Sequence, residues 1–219
     1  MTFLDWCVCL ERLSEIGCRS VQFIGGEPTL FPDLPRLLDR AAELGFDTIG
    51  LFTNGTRIYA ELLASIMRSN ARIFISIHGS SEIEHDNFVG LNGAYRKVYS
   101  NLLELSRNKV EFFLCSNLQD AQTRANNNWE ASQFSSQIGA KGFFFAPVLP
   151  VGRGNSNTLN QRDRCGHCGN GKICIRWDRK IYDCALNRSV PLCSFDEWSE
   201  QMPVKQLRPE IFSNLVDEG

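Results

Sequence analysis

The residues able to do chemistry fall in a few short segments. Phe23-Ile24-Gly25-Gly26-Glu27-Pro28-Thr29-Leu30 joins an apolar run, Val21 to Ile24, to a helix-like stretch from Pro32 to Leu44. A Gly-Gly-Glu-Pro turn at the carboxyl end of a strand, opening onto a helix, stands where β/α proteins place ligands. Gly25 and Gly26 let the backbone approach a ligand with no side chain in the way. Glu27 offers a carboxylate to a positive or hydrogen-bond-donating group, and Pro28 stiffens the exit from the turn. This is a small-molecule pocket with an acid suited to an amine. The plainer reading is a tight turn with a solvated Glu.

Three further segments end apolar runs in the same manner. Thr53-Asn54-Gly55 follows Ile49 to Phe52, Ser76-Ile77-His78-Gly79 ends Ile73 to Ile77, and Pro150-Val151-Gly152-Arg153-Gly154 follows Phe143 to Val148. Ser76 and His78 alternate with Ile75 and Ile77, so on a strand they share a side. At the carboxyl end of a β/α barrel that side is the pocket, though a structural histidine and a turn-forming Asn-Gly pair are the plain alternatives. His85-Asp86 and Gly90-x-x-Gly93 are expected in the loop before the next helix, where Asp86 would also serve to cap or brace.

A second cluster lies near the C-terminus: Cys165-Gly166-His167-Cys168, then Cys174, Cys184 and Cys193. A Cys-x2-Cys knuckle, a hairpin (Lys172 to Trp177, Lys180 to Cys184, turn at Asp178-Arg179) and a returning cysteine make a metal clip. Such a unit has little core of its own, so a metal would contribute to its folding. Zinc and iron–sulfur clusters both accept four thiolates. Cys165, Cys168 and Cys184 are the first ligand candidates, with Cys174 or Cys193 completing the set and His167 in reserve.

The elements that must position these groups alternate. An amphipathic helix is expected over 3–16, with Leu4, Val8 (or Cys7), Leu13 and Ile16 near one side and Gly17 as its stop. Then follow strand 20–24, helix 33–44, strand 47–52, helix 57–69, strand 72–77, helix 95–107, strand 110–116, helix 127–138 and strand 141–146. Asn126 to Asn128 is a candidate N-cap. Strand–helix alternation with short connections implies a parallel sheet. Cys7 and Cys9 point to roughly opposite sides of a helix and read as small apolar fillers, as does Cys115 on a central strand.

The chain has 219 residues, 43% hydrophobic and 22% charged, with a formal net charge of -2. That suits one globular domain with an appendage and argues against a nucleic-acid or membrane partner. No apolar run reaches transmembrane length and no leader pattern precedes the first residues, so a cytoplasmic location is the expectation. Nine cysteines, five of them between 165 and 193, suit metal ligation better than disulfides.

In order and spacing the four rim segments resemble the radical S-adenosylmethionine (radical SAM) family. More narrowly, they resemble its peptide-modifying maturases, which carry a cysteine-rich SPASM or twitch extension. The resemblance covers nearly the whole chain. It implies an α/β fold: a partial (β/α)6 TIM-like barrel lacking its first strand over 1–151, and an iron–sulfur module over 152–219. It implies S-adenosylmethionine (SAM) held by Gly25, Gly26, Glu27 and Pro28, with Thr53, Asn54, Ser76, His78 and Arg153 lining the pocket. Glu27 would accept hydrogen bonds from the SAM amino group, and Arg153 would neutralise its carboxylate or hold a loop. It favours an auxiliary [4Fe-4S] cluster over zinc at Cys165, Cys168, Cys174, Cys184 and Cys193. It also implies a peptide or small-protein substrate and a reductant protein. Strand 110–116 lacks the glycine-rich and acidic signature that many members use for the nucleoside.

One departure matters. In the family a Cys-x3-Cys-x2-Cys triad after the first strand binds the [4Fe-4S] cluster that reduces SAM, and Met1 to Trp6 looks like the point just downstream of it. Cys7, Cys9 and Cys18 have the wrong spacing to replace it. The expectation is a truncated reading of a longer protein or a relative without the catalytic cluster. No catalytic residue is assigned, and these 219 residues alone are expected not to cleave SAM. The catalytic cluster is expected only if an upstream segment exists. A non-catalytic module that binds a leader peptide or partner and a zinc-bearing barrel protein are the alternatives.

Overall fold

The computed structural model describes residues 1–118, 121–147, 172–183 and 191–201. The chain divides into two compact units: Cys18–Val148, and Met1–Gly17 together with Leu149–Gly219.

In the first unit the alternation is realised as β1 (Ser20–Phe23), α2 (Leu34–Glu43), β2 (Thr48–Thr53), α3 (Ala60–Ser69), β3 (Arg72–Ser76), α4 (Glu82–Val89), α5 (Ala94–Arg107), β4 (Phe112–Leu118), α6 (Ala121–Ile138) and β5 (Phe143–Pro147); α1 (Phe3–Glu15) belongs to the other unit. The five strands form one sheet in the order β1-β2-β3-β4-β5, every neighbouring pair parallel. This is the α/β, partial TIM-like architecture that the resemblance implies. The helices bury regular stripes: Leu34, Leu37, Leu38 and Ala41 on α2, and Ala94, Val98, Leu102 and Leu105 on α5. The first set is spaced i, i+3, i+4, i+7 and the second i, i+4, i+8, i+11, each the stripe of a helix with one apolar side.

The sheet sorts its residues by the two-residue period of a strand. Ile73, Ile75 and Ile77 are fully buried, as are Phe112 and Leu114 in the neighbouring strand. The opposite side carries Phe52, Phe74, Phe113 and Phe144, one from each of four adjacent strands. Their rings follow one another at 4.3, 5.2 and 5.6 Å between centroids.

The second unit is built from α1 (Phe3–Glu15), β6 (Cys174–Arg176), β7 (Lys180–Tyr182), β8 (Cys193–Ser194) and α7 (Phe195–Gln201). β6 and β7 are the expected hairpin; β8 adds a third antiparallel strand that the sequence reading did not foresee, in the order β6-β7-β8. Cys9, Ile181, Phe195 and Trp198 form its core, with Met1, Trp6, Val8, Leu13, Ile173, Ile175 and Cys193 against it. So α1, grouped with the barrel in the sequence reading, packs on the small sheet. It begins with a capping box between Thr2 and Asp5, and Asp5 also pairs with Arg179 at 3.1 Å. Arg179 pairs in turn with Asp196 and lies over the Phe195 ring at 4.5 Å.

Four expectations need correction. His85 and Asp86 lie on a helix, α4, which the sequence reading took for loop. Its start is a capping box in which Ser81 accepts from the Glu84 amide and Glu84 reaches back to the Ser81 amide. Asn126 to Asn128 sit inside α6, where i→i−4 bonding outweighs the capping preference of Asn. Leu4 is 71% exposed, because the buried side of α1 runs through Trp6, Cys9, Leu10 and Leu13, half a turn away. Residues 57–59 precede α3 rather than belonging to it. Among the described residues no helix is long and apolar enough to cross a membrane.

Candidate functional site

Glu27 is tied into a small network at the carboxyl ends of β1 and β2. It is the N-cap of a single 3-10 turn, Pro28–Leu30, which Pro28 pre-sets in its first position. Its Oε1 accepts from the Thr29 amide at 3.1 Å, the Thr29 hydroxyl at 2.7 Å and the Thr53 hydroxyl at 2.6 Å. Its Oε2 accepts from the Asn54 amide at 2.7 Å. Glu27, Thr53 and Asn54, proposed from separate strands, thus meet directly. The solvated-Glu alternative does not describe this carboxylate.

Each supporting group is itself held. Thr53 Oγ1 accepts from the Gly55 amide at 3.1 Å, and Asn54 Oδ1 accepts from the Thr56 amide and hydroxyl at 2.9 and 2.7 Å. Asn101 of α5 donates to the Gly55 carbonyl at 2.7 Å. Gly55 has φ +72, and a Cβ there would stand 2.6 Å from Ile75 Cγ2, so only glycine fits. The Asn-Gly pair is therefore both a turn and part of the Glu27 network.

The fit to an amine-bearing ligand can be read from the same atoms. Gly25 has φ +140, outside the range of other residues, and a Cβ at Gly25 or Gly26 would meet nothing within 4 Å. The turn therefore faces open space. Among the described residues Oε2 takes only the Asn54 amide, leaving acceptor capacity for a further donor on that side. A carboxylate pre-oriented by four donors beside a bare backbone suits an ammonium group.

A second group forms at the ends of β3 and β4. His85, 2% exposed, accepts the His78 amide on Nδ1 at 3.1 Å, which places its proton on Nε2. Burial lowers its pKa, the neighbouring Asp86 working the other way, so the ring is neutral. His78 Nδ1 lies 3.4 Å from both the Ser116 hydroxyl and the Asn117 amide, and its ring stacks on Phe88 at 4.0 Å. Ser76 is half-buried opposite Cys115. Asp86 accepts from the Gly93 and Tyr95 amides at the start of α5, and these bonds, that of Tyr95 foremost, hold its carboxyl below the usual range. It caps a helix, one of the two roles the sequence left open.

Thr29, buried and bonded twice to Glu27, was missed by sequence reasoning; a hydroxyl two residues beyond the Glu was its signal. Burial pushes the Cys9 thiol up to about 12 and Cys115 to about 11, consistent with small apolar packing. Arg153, Cys165, Cys168 and Cys184 lie outside the described residues, and so does His167. Among the described residues no three His, Cys, Asp or Glu side chains approach closely enough to hold a metal.

The family model for the radical SAM superfamily matches residues 9–118, half of the chain. The chain belongs to the radical SAM superfamily. It is 25% identical over 149 residues to an AdoMet-dependent heme synthase of Methanosarcina barkeri, a match covering 68% of this chain and 42% of that protein. It is 34% identical over 98 residues to a PqqA peptide cyclase of Bradyrhizobium diazoefficiens, covering 44% of this chain and 26% of the relative. The chain thus spans less than half the length of these curated relatives. Among solved structures it shares the fold of Streptococcus suis SuiB bound to S-adenosylmethionine, with a TM-score of 0.69 at 15% identity over 90% of this chain and 58% of that one. SuiB bound to its precursor peptide SuiA aligns with a TM-score of 0.68 at 15% identity, over 95% and 58%. The radical SAM resemblance drawn from the rim segments is borne out.

Proposed function

We propose that this chain is the SAM- and peptide-handling part of a radical SAM maturase that modifies a ribosomal peptide or small protein. The observation that carries it is the Glu27 carboxylate, held by Thr29, Thr53 and Asn54 beside the open Gly25-Gly26 backbone. Relatives and neighbours that act on or bind peptides, a PqqA peptide cyclase and SuiB with SuiA, support the substrate class. Beside a reduced [4Fe-4S] cluster, bound SAM would supply the hydrogen-abstracting chemistry that modifies the substrate.

The residues of this chain do the holding. Glu27 takes the SAM amino group as an acceptor whose geometry is fixed before the ligand arrives, so little ordering remains to be done on binding. Gly25 and Gly26 let the ligand lie against main chain. Ser76 and His78 line the same rim, His78 kept in one orientation by Ser116, Asn117 and Phe88. Arg153 would neutralise the SAM carboxylate or hold a loop. Cys165, Cys168 and Cys184, with Cys174 or Cys193 completing the set, would hold an auxiliary [4Fe-4S] cluster, and a reductant protein would deliver the electron.

The 219 residues contain no Cys-x3-Cys-x2-Cys spacing. The proposal therefore expects them to bind SAM and one cluster's complement of iron without forming 5′-deoxyadenosine. Anaerobic reconstitution, iron and sulfide analysis, EPR and chromatography of SAM products test this together. Turnover to 5′-deoxyadenosine by these residues alone would sink the division of labour. A colourless, zinc-loaded protein with no SAM affinity would sink the maturase reading.

A further inference from the structure

The phenylalanine row lies on the side of the five-stranded sheet opposite the buried Ile73, Ile75, Phe112 and Leu114. The parallel register sets Phe52, Phe74 and Phe113 next to one another, and one step nearer the carboxyl ends it sets Ser76 beside Cys115 and Cys115 beside Phe144. Two of the rings lean back toward the amino ends. A Cβ on Gly50 would stand 3.7 Å from Phe74 Cε2, and one on Gly142 would stand 4.0 Å from Phe144 Cζ. The rings therefore make a floor below Ser76 and Cys115 rather than a cover over them. Both of those short side chains are half-buried, and Phe144 is 51% exposed. The same row adjoins the Glu27 network. One residue past the Thr53–Ile75 pair come Asn54, whose amide donates to Glu27, and Ser76.

Charge and ring geometry decide what can sit on this floor. Among the described residues of β2 to β5 on this side, the one charged side chain is Arg72, at the amino end and 3.9 Å from Glu111. Burial pushes the Cys115 thiol up to about 11, so it stays neutral. An ammonium or carboxylate seated here would give up water and meet no countercharge. Phe52, Phe74 and Phe113 stack across the strands, with planes 6° and 15° apart, so their edges turn away from the sheet. Ring edges carry partial positive charge and favour the face of another ring, whereas a cation is drawn to a ring face. We infer that this floor receives an aromatic side chain of the peptide substrate, seated over Ser76 and Cys115 beside the SAM held at Glu27. The inference rests on the proposed SAM- and peptide-handling role and names the side chain which that role takes.

The test uses the full chain and, as probes, the Nα-acetyl amides of phenylalanine, leucine, lysine and glutamate, titrated by saturation-transfer NMR with and without S-adenosylhomocysteine. The phenylalanine probe should bind more tightly than leucine, with lysine and glutamate at least about tenfold weaker. Phe144→Ala removes a largely exposed ring, so the fold is spared; it should weaken the phenylalanine probe about two- to tenfold. In the unsubstituted chain that probe should slow alkylation of Cys115 by N-ethylmaleimide, read by peptide mapping, and S-adenosylhomocysteine alone should not. This readout needs no variant to fold. Equal binding of all the probes, or no protection of Cys115 at saturating phenylalanine probe, would overturn the inference. Protection by S-adenosylhomocysteine alone would overturn it too, since the floor would then hold adenine. Failure of the probe with S-adenosylhomocysteine still bound leaves the SAM-handling reading standing. Probe selectivity without S-adenosylhomocysteine binding would support the aromatic seat and sink the Glu27 reading.

Discussion

Replacing Glu27 by Gln tests the proposed ligand contact with almost no change of shape. Three donors converge on Oε1 and one on Oε2. The amide would keep its carbonyl at the crowded position, which turns its NH2 group against the Asn54 N–H that Oε2 now accepts. One charge-assisted bond is lost inside the protein, and an incoming ammonium meets a donor where it had a carboxylate. Hydrogen bonds to charged groups contribute about 1.5–3 kcal/mol. At about 1.4 kcal/mol per tenfold, SAM and S-adenosylhomocysteine should bind about ten- to a hundredfold more weakly. Isothermal titration with both ligands, beside a thermal melt of the free protein, reads the effect. Thr53→Val is the companion: it removes the 2.6 Å bond but keeps the carboxylate, so a smaller loss of affinity is expected. Affinity within about twofold of wild type in Glu27→Gln, with a lowered melting point, would show that the network only braces the turn.

Gly55→Ala should cost about 2–4 kcal/mol, from a left-handed φ together with a Cβ 2.6 Å from Ile75 Cγ2; a urea midpoint close to wild type would contradict the packing. Two windows of acid sensitivity should separate in denaturation measured from about pH 3 to 8. The pKa of His85 is lowered by burial, so the unfolded chain protonates first and stability falls as pH drops below about 6.5. Asp86, held low by the Tyr95 and Gly93 amides, contributes stability above about pH 3.9 that is lost as pH falls through its lowered folded value. His85→Asn, which can still accept the His78 amide, should flatten the upper window, and Asp86→Asn the lower. Unchanged slopes in both would show that neither group titrates as its surroundings require.

Much of this protein was legible without its structure because the signals were local. Strand and helix periods give the five parallel strands and α2, α3 and α5 to within a few residues, since burying one side forces that pattern on the chain, whereas α6 begins six residues before the expected helix. The Gly-Gly-Glu-Pro turn announced itself through backbone freedom beside a carboxylate, and the hairpin through its turn residues. The start of α4 was equally local, a Ser81–Glu84 capping box passed over because α4 has little apolar periodicity. What the tertiary structure decided depends on register and on distant partners. That Glu27 is held by Thr53 and Asn54, 26 and 27 residues away, follows from the parallel pairing of β1 with β2. That α1 completes the core of the C-terminal sheet joins residues nearly two hundred positions apart. That Cys174, opposite Tyr182, and Cys193, opposite Ile181, point to opposite sides rests on antiparallel pairing, where a one-residue slip would reverse every side chain.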